Sequence, residues 1–155
     1  MKKLDIKKLI FYILITYLIG VLPSIFVFKS MSTYNTLNKP PLSPPSIVFP
    51  IAWSILYLLM GISIYIIMQS KRKHKKNARL IYFIQLVINA LWTPIFFGFK
   101  EYFFAFLWIL MLIVLVITMI LTFYKISKKA AYIQIPYLLW LLFASYLNFG
   151  VFVLN

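Results

Sequence analysis

The 155-residue sequence contains no cysteine. That excludes disulfides, thiolate nucleophiles and thiolate metal sites together. Carboxylates are nearly as scarce: Asp5 and Glu101 stand alone against sixteen Lys and Arg, and His74 is the single histidine. Such a stock supports no Ser-His-Asp arrangement and no metal-ligand cluster, and its four glycines form no phosphate-cradling loop. No metal is expected, no cofactor is required, and no conventional acid–base catalysis is available. His74 lies among basic neighbours and reads as a solvated side chain. Charged residues are only 12% of the chain, about half the share of a soluble domain.

What is abundant is apolar: 64% of residues are hydrophobic. The apolar residues fall into five runs, 8–28, 46–68, 79–99, 102–124 and 131–153. At ~1.5 Å per residue each can cross a hydrocarbon core of ~30 Å as a helix. The short alternating segments of a β-barrel are missing. The expected fold is an all-α membrane protein, a five-transmembrane-helix bundle forming one domain over 1–155. The first run follows Lys2, Lys3, Lys7 and Lys8, but it is too long for a signal peptide and no A-x-A-like site follows it.

The net charge of +14 sits between apolar runs rather than on a soluble face. Membrane lipid is therefore the expected partner, and nucleic acid is not. Thirteen of the sixteen Lys and Arg lie before the first run, in the loop containing Lys71, Arg72, Lys73, Lys75, Lys76 and Arg79, or with Lys125, Lys128 and Lys129. Short cytoplasmic loops collect positive charge, so the N-terminus is expected inside and the C-terminus outside. The longest loop, 29–45, carries Pro40, Pro41, Pro44 and Pro45 and should be a stiff external lid.

No carboxylate, Lys, Arg or His lies deep in any run, which argues against a proton- or sodium-coupled pump. The runs hold amides and aromatics instead. Gln85, Asn89 and Trp92 share one helical face; Trp53 and Tyr57 share another; Tyr137, Trp140, Ala144 and Asn148 share a third or nearly so. Amides in hydrocarbon need partners, so these faces should point inward. Interhelical adhesion would explain them as well as ligand binding would. Trp108, near the start of the fourth run, fits an interfacial anchor. Trp53 and Trp92 lie ~10 Å from the outer ends of their runs, and Trp140 ~20 Å, too deep for a belt. Pro23, Pro50, Pro94 and Pro136 should kink runs one, two, three and five. Run four has neither proline nor amide and is expected to face lipid or a second copy. Together these features predict an aromatic pocket for a flat apolar ligand beneath the lid.

Four strings carry a family resemblance. Tyr34 to Pro45 (YNTLNKPPLSPP) is similar to the pattern Y-x-x-L-x-K-P-x-W-x-P-P. Phe49 to Gly61 reads F-P-x-x-W-x-x-L-Y-x-x-M-G, Gln85 to Phe97 reads Q-x-x-x-N-x-x-W-x-P-x-F-F, and Pro136 to Asn148 reads P-Y-x-x-W-x-x-F-A-x-x-L-N. In this order they resemble the TspO/MBR family, the tryptophan-rich sensory proteins and translocator proteins. The resemblance implies a five-helix bundle, often a homodimer, that binds porphyrins and haem-like tetrapyrroles, sterols, and synthetic isoquinoline or benzodiazepine ligands. The implied pocket residues are Tyr34, Pro44, Pro45, Trp53, Asn89, Trp92, Trp140 and Ala144. Tyr57, Gln85, Tyr137 and Asn148 join them from their shared faces. Some bacterial members are proposed to degrade porphyrin in light and oxygen, which makes Trp53 and Trp140 the candidate catalytic residues. The chain departs from the family pattern at Thr33 and Leu42, which replace lid tryptophans, and at Phe149 and Val153, where the animal sterol motif needs a tyrosine and a basic residue. The expected function is a tetrapyrrole receptor or sensor in a bacterial cell membrane. A photo-oxidative porphyrin-degrading enzyme and a passive carrier of tetrapyrrole or sterol are the alternatives.

Overall fold

The backbone of an apolar chain in lipid must satisfy its own hydrogen bonds, and a helix does so within each segment. In the computed structural model, which describes residues 4–155, five such spans appear. They are α1 (Ile6–Phe26), α2 (Val48–Gln69), α3 (Lys75–Thr93) extended by a π-helical turn (Pro94–Gly98), α4 (Tyr102–Tyr124), and a fifth made of α5 (Lys128–Ile133) and α6 (Ile135–Leu154). Every expected run is found, with ends displaced by a few residues. Lys2 and Lys3, which contributed to the orientation argument, lie outside the described residues.

Both acids stand at helix starts. Asp5 caps α1: its carboxylate accepts the Lys8 N–H at 3.1 Å and pairs with the Lys8 ammonium at 3.0 Å. The Asp5 N–H donates to the Tyr65 hydroxyl at 2.9 Å, tying the start of α1 to the end of α2. Glu101 occupies the cap position of α4, after a turn in which Lys100 takes a positive φ of 58°. That short turn makes α3 and α4 antiparallel neighbours.

The prolines act less uniformly than expected. Pro23 does lie inside α1, and the π-helical turn begins at Pro94, with the Phe99 N–H reaching back to the Pro94 carbonyl at 2.9 Å. Pro50, however, falls in the first turn of α2, and Pro136 at the first positions of α6. Proline is tolerated there because the N–H it lacks has no helical partner anyway. The fifth span breaks at Gln134, just before Pro136.

Packing qualifies one expectation. Run four was expected to face lipid or a second copy, and α4 does leave an apolar face exposed, including Phe103, Leu107, Val114 and Leu121; but it lies between α3 and α6, also touches α5, and buries Ala105, Ile109, Leu112, Ile113, Val116, Met119 and Phe123 on its other face. The least buried span is α1, in which only Thr16 and Gly20 are buried. It meets α2 closely because Gly61 has no side chain: a Cβ there would come within 2.7 Å of the Ile13 Cα. Elsewhere α2 is held to α5 by the Ser63 hydroxyl, which donates to the Ala130 carbonyl at 2.8 Å.

The proline-rich loop begins as a 3-10 helix (Phe28–Thr36) and then runs extended, with Leu42 at a φ of 68°. Lys39 caps the 3-10 helix by donating to the Tyr34 carbonyl at 3.1 Å. The loop is fastened to the end of α6. Tyr146 donates to the Pro41 carbonyl at 2.8 Å, Asn38 and Asn155 exchange hydrogen bonds of 3.0 and 2.8 Å, and the Pro40 ring fills the space over Gly150.

Candidate functional site

Beneath this loop α2, α3, α4 and α6 enclose a cavity lined by Phe49, Trp53, Asn89, Trp92, Ile109, Leu112, Trp140, Leu141 and Ala144. It is narrow, about 30 Å³. Four of its nine lining residues are aromatic. The rings of Trp53 and Trp140 stand edge to face with centroids 6.4 Å apart, and Phe49 meets Trp140 at 6.0 Å. Tyr34 meets Phe49 from the loop side at 5.0 Å, in the edge-to-face geometry such rings favour.

Of the residues singled out from sequence, Trp53, Asn89, Trp92, Trp140 and Ala144 line this space directly. Tyr57, Gln85, Tyr137 and Asn148 stand behind them. Asn89 is held on both sides: its Nδ2 donates to the Tyr137 hydroxyl at 2.8 Å, and its Oδ1 accepts from the Tyr57 hydroxyl at 3.2 Å. Tyr137 in turn donates to Gln85 Oε1 at 2.9 Å. The Trp92 indole donates to Asn148 Oδ1 at 3.0 Å, and Asn148 donates to the Tyr102 carbonyl at 2.8 Å. These bonds join α2, α3 and α6 around Tyr137, and α3, α4 and α6 around Asn148, about 16 Å further along α6.

Trp140 differs from its neighbours. Its Nε1 is buried and has no partner, so it is a spare donor on a residue of the cavity wall. Tyr34, Pro44 and Pro45 do not line the cavity and belong to its cover. The Tyr34 hydroxyl donates to the Pro44 carbonyl at 3.1 Å, and burial pushes its phenol above the usual range, with Ser43 partly opposing. The Trp108 indole donates to the Ile88 carbonyl of α3 at 2.7 Å.

Sequence reasoning missed Phe49, Ile109, Leu112 and Leu141. Phe49 and Leu141 could have been found, since each adjoins a residue already singled out in its span. Ile109 and Leu112 had no signal, because nothing distinguishes one aliphatic residue of α4 from another.

The chain matches the model of the TspO/MBR family over residues 12–154. It is 37% identical over 153 residues to the Tryptophan-rich protein TspO of Archaeoglobus fulgidus, covering 98% of this chain and 99% of that protein. It is 36% identical to the Tryptophan-rich protein TspO of Chlorobaculum tepidum, over 88% of this chain and 89% of that one. Similarity extends to the Translocator protein of Ovis aries, at 34% identity over 75% of this chain and 70% of the relative.

Proposed function

The chain belongs to the TspO/MBR family, and we propose that it is a membrane receptor for porphyrins and related tetrapyrroles, bound in the aromatic cavity beneath the proline-rich loop. The observation that carries this reading is the composition of the cavity wall. Four aromatic rings, those of Phe49, Trp53, Trp92 and Trp140, surround one space, and the Trp140 N–H there lacks a partner. A flat, apolar macrocycle with a few acceptor atoms suits such a wall. At about 30 Å³ the space is far below the ~300 Å³ at which small-molecule pockets begin. Binding on this reading requires the rings to turn and the loop to lift, releasing the Tyr146–Pro41 and Asn38–Asn155 hydrogen bonds. By its charge distribution the loop faces outward and the basic loops face the cytoplasm.

The test is titration of purified protein in detergent with protoporphyrin, followed by tryptophan fluorescence in the dark. Quenching should saturate at micromolar ligand, about −8 kcal/mol. Absence of saturable quenching overturns the reading. The edge-to-face contact of Trp53 and Trp140 in the cavity favours a second reading, photo-oxidative breakdown of the bound porphyrin with oxygen. The same titration under illumination separates the two: only a degrading enzyme bleaches bound porphyrin faster than porphyrin in detergent alone.

A further inference from the structure

We propose that a water molecule is held inside the bundle between Gln85 and Gln134, on the side of the cavity away from the proline-rich loop. Gln134 is fully buried at the break between α5 and α6, and neither its Nε2 nor its Oε1 has a hydrogen-bond partner. Gln85 is also fully buried; its Oε1 accepts from Tyr137, but its Nε2 has no partner. Native proteins seldom keep buried amide groups without partners. The local backbone does not answer them: the Gln134 N–H goes to the Ala131 carbonyl and its carbonyl accepts from Leu138. Tyr137 relates the two amides, since it bonds Gln85 directly and lies one helical turn after Gln134.

The unmet groups are two NH2 donors and one carbonyl acceptor. Water can accept from both amides and donate to the third atom, the roughly three bonds typical of a buried water. Only one of the unmet atoms is an acceptor, which suits a cation poorly, and an anion would find no charge to pair with. A water would also extend the run Asn89–Tyr137–Gln85 to Gln134, so that one hydrogen-bonded strip joins the cavity wall to the helix break. The proposal does not depend on what the cavity binds.

Two measurements on the full chain in lipid bilayers decide it. In water-edited solid-state NMR, the side-chain amides of Gln85 and Gln134 should receive water magnetisation in the wild type, and Gln134→Leu should abolish the transfer at Gln85. No transfer at either wild-type amide, or an unchanged Gln85 signal in Gln134→Leu, overturns the proposal. The wild-type arm stands even if the variant does not fold. In thermal unfolding, Gln85→Leu and Gln134→Leu should be non-additive, because either one removes the shared water; additive shifts in melting temperature count against it.

Discussion

Asn89 lies on the cavity wall with both ends of its amide engaged. Its place on an inward face with Gln85 and Trp92 was legible at helical period. Whether the amide serves a ligand or the fold was not, since that depends on side chains from other helices. In the structure Tyr57 and Tyr137 take both of its ends. Asn89→Ala should therefore act first on the fold, lowering unfolding stability by about 1–3 kcal/mol through the groups left unpaired. Porphyrin affinity should shift less than stability, as read by thermal melts and fluorescence titration on one preparation; the reverse order would make Asn89 a ligand contact. Trp140 is the opposite case, with a free donor on the cavity wall. Trp140→Phe keeps an aromatic surface but removes the oxidisable indole and its N–H. Binding should persist better than light-driven bleaching, and equal bleaching of wild type, variant and free porphyrin would remove the enzymatic reading. At the start of α1, hydrogen bonding from Lys8 holds the Asp5 carboxyl below its ordinary value of 3.8. A group depressed in the folded state contributes stability above its unfolded value and loses it as pH falls through the folded one. Fraying of α1, followed by amide exchange at Lys8 and Leu9, should begin below about pH 3.8, and Asp5→Asn should remove this pH dependence.

Helix lengths were readable because bilayer thickness is a constraint that each run meets by itself. Helix neighbours were not. Lipid tails are as apolar as leucine, so hydrophobicity does not tell a lipid-facing helix from a buried one. For that reason α4, featureless to a reading based on polarity, lies between α3 and α6, while α1 is left outermost. Close approach depends instead on small residues. Gly61→Val would push a side chain into the Ile13 backbone and should separate α1 from α2; the expected result is a lower melting temperature and greater protease access to α1. An unchanged melt would show that α1 can shift freely in lipid. The proline-rich loop is a second element whose role is testable. Its hydrogen bond to Tyr146 lies outside the cavity wall, so Tyr146→Phe should speed porphyrin association in stopped-flow quenching while leaving the walls intact. Unaltered association would place the entry route elsewhere, between helices.

At the scale of the whole molecule most of the Lys and Arg lie at one end. The guanidinium of Arg72 donates to the Lys125 carbonyl at 2.9 Å, bringing the two basic loops together, while Asn155 is bonded to the proline-rich loop at the other end. With His74→Cys and Asn155→Cys, a membrane-impermeant thiol reagent should label position 155 from outside intact cells and position 74 only after permeabilisation. Labelling of both from the same side would contradict five spans, and the reversed pattern would overturn the charge-based orientation.

The sequence by itself determined the number of spans, their lengths, the basic end and the faces that carry amides. Each follows from demands met locally: backbone hydrogen bonds closed within a helix, a hydrocarbon core of ~30 Å, and polar groups excluded from lipid. Tertiary structure alone decided that α1 rather than α4 is outermost, that Asn89 is held by Tyr57 and Tyr137 while Trp140 and Gln134 have buried polar atoms to spare, and that Ile109 and Leu112 complete the cavity. Those outcomes depend on which side chains from distant parts of the chain fit together, and in lipid it is shape and hydrogen-bond pairing, not hydrophobicity, that selects among helix neighbours.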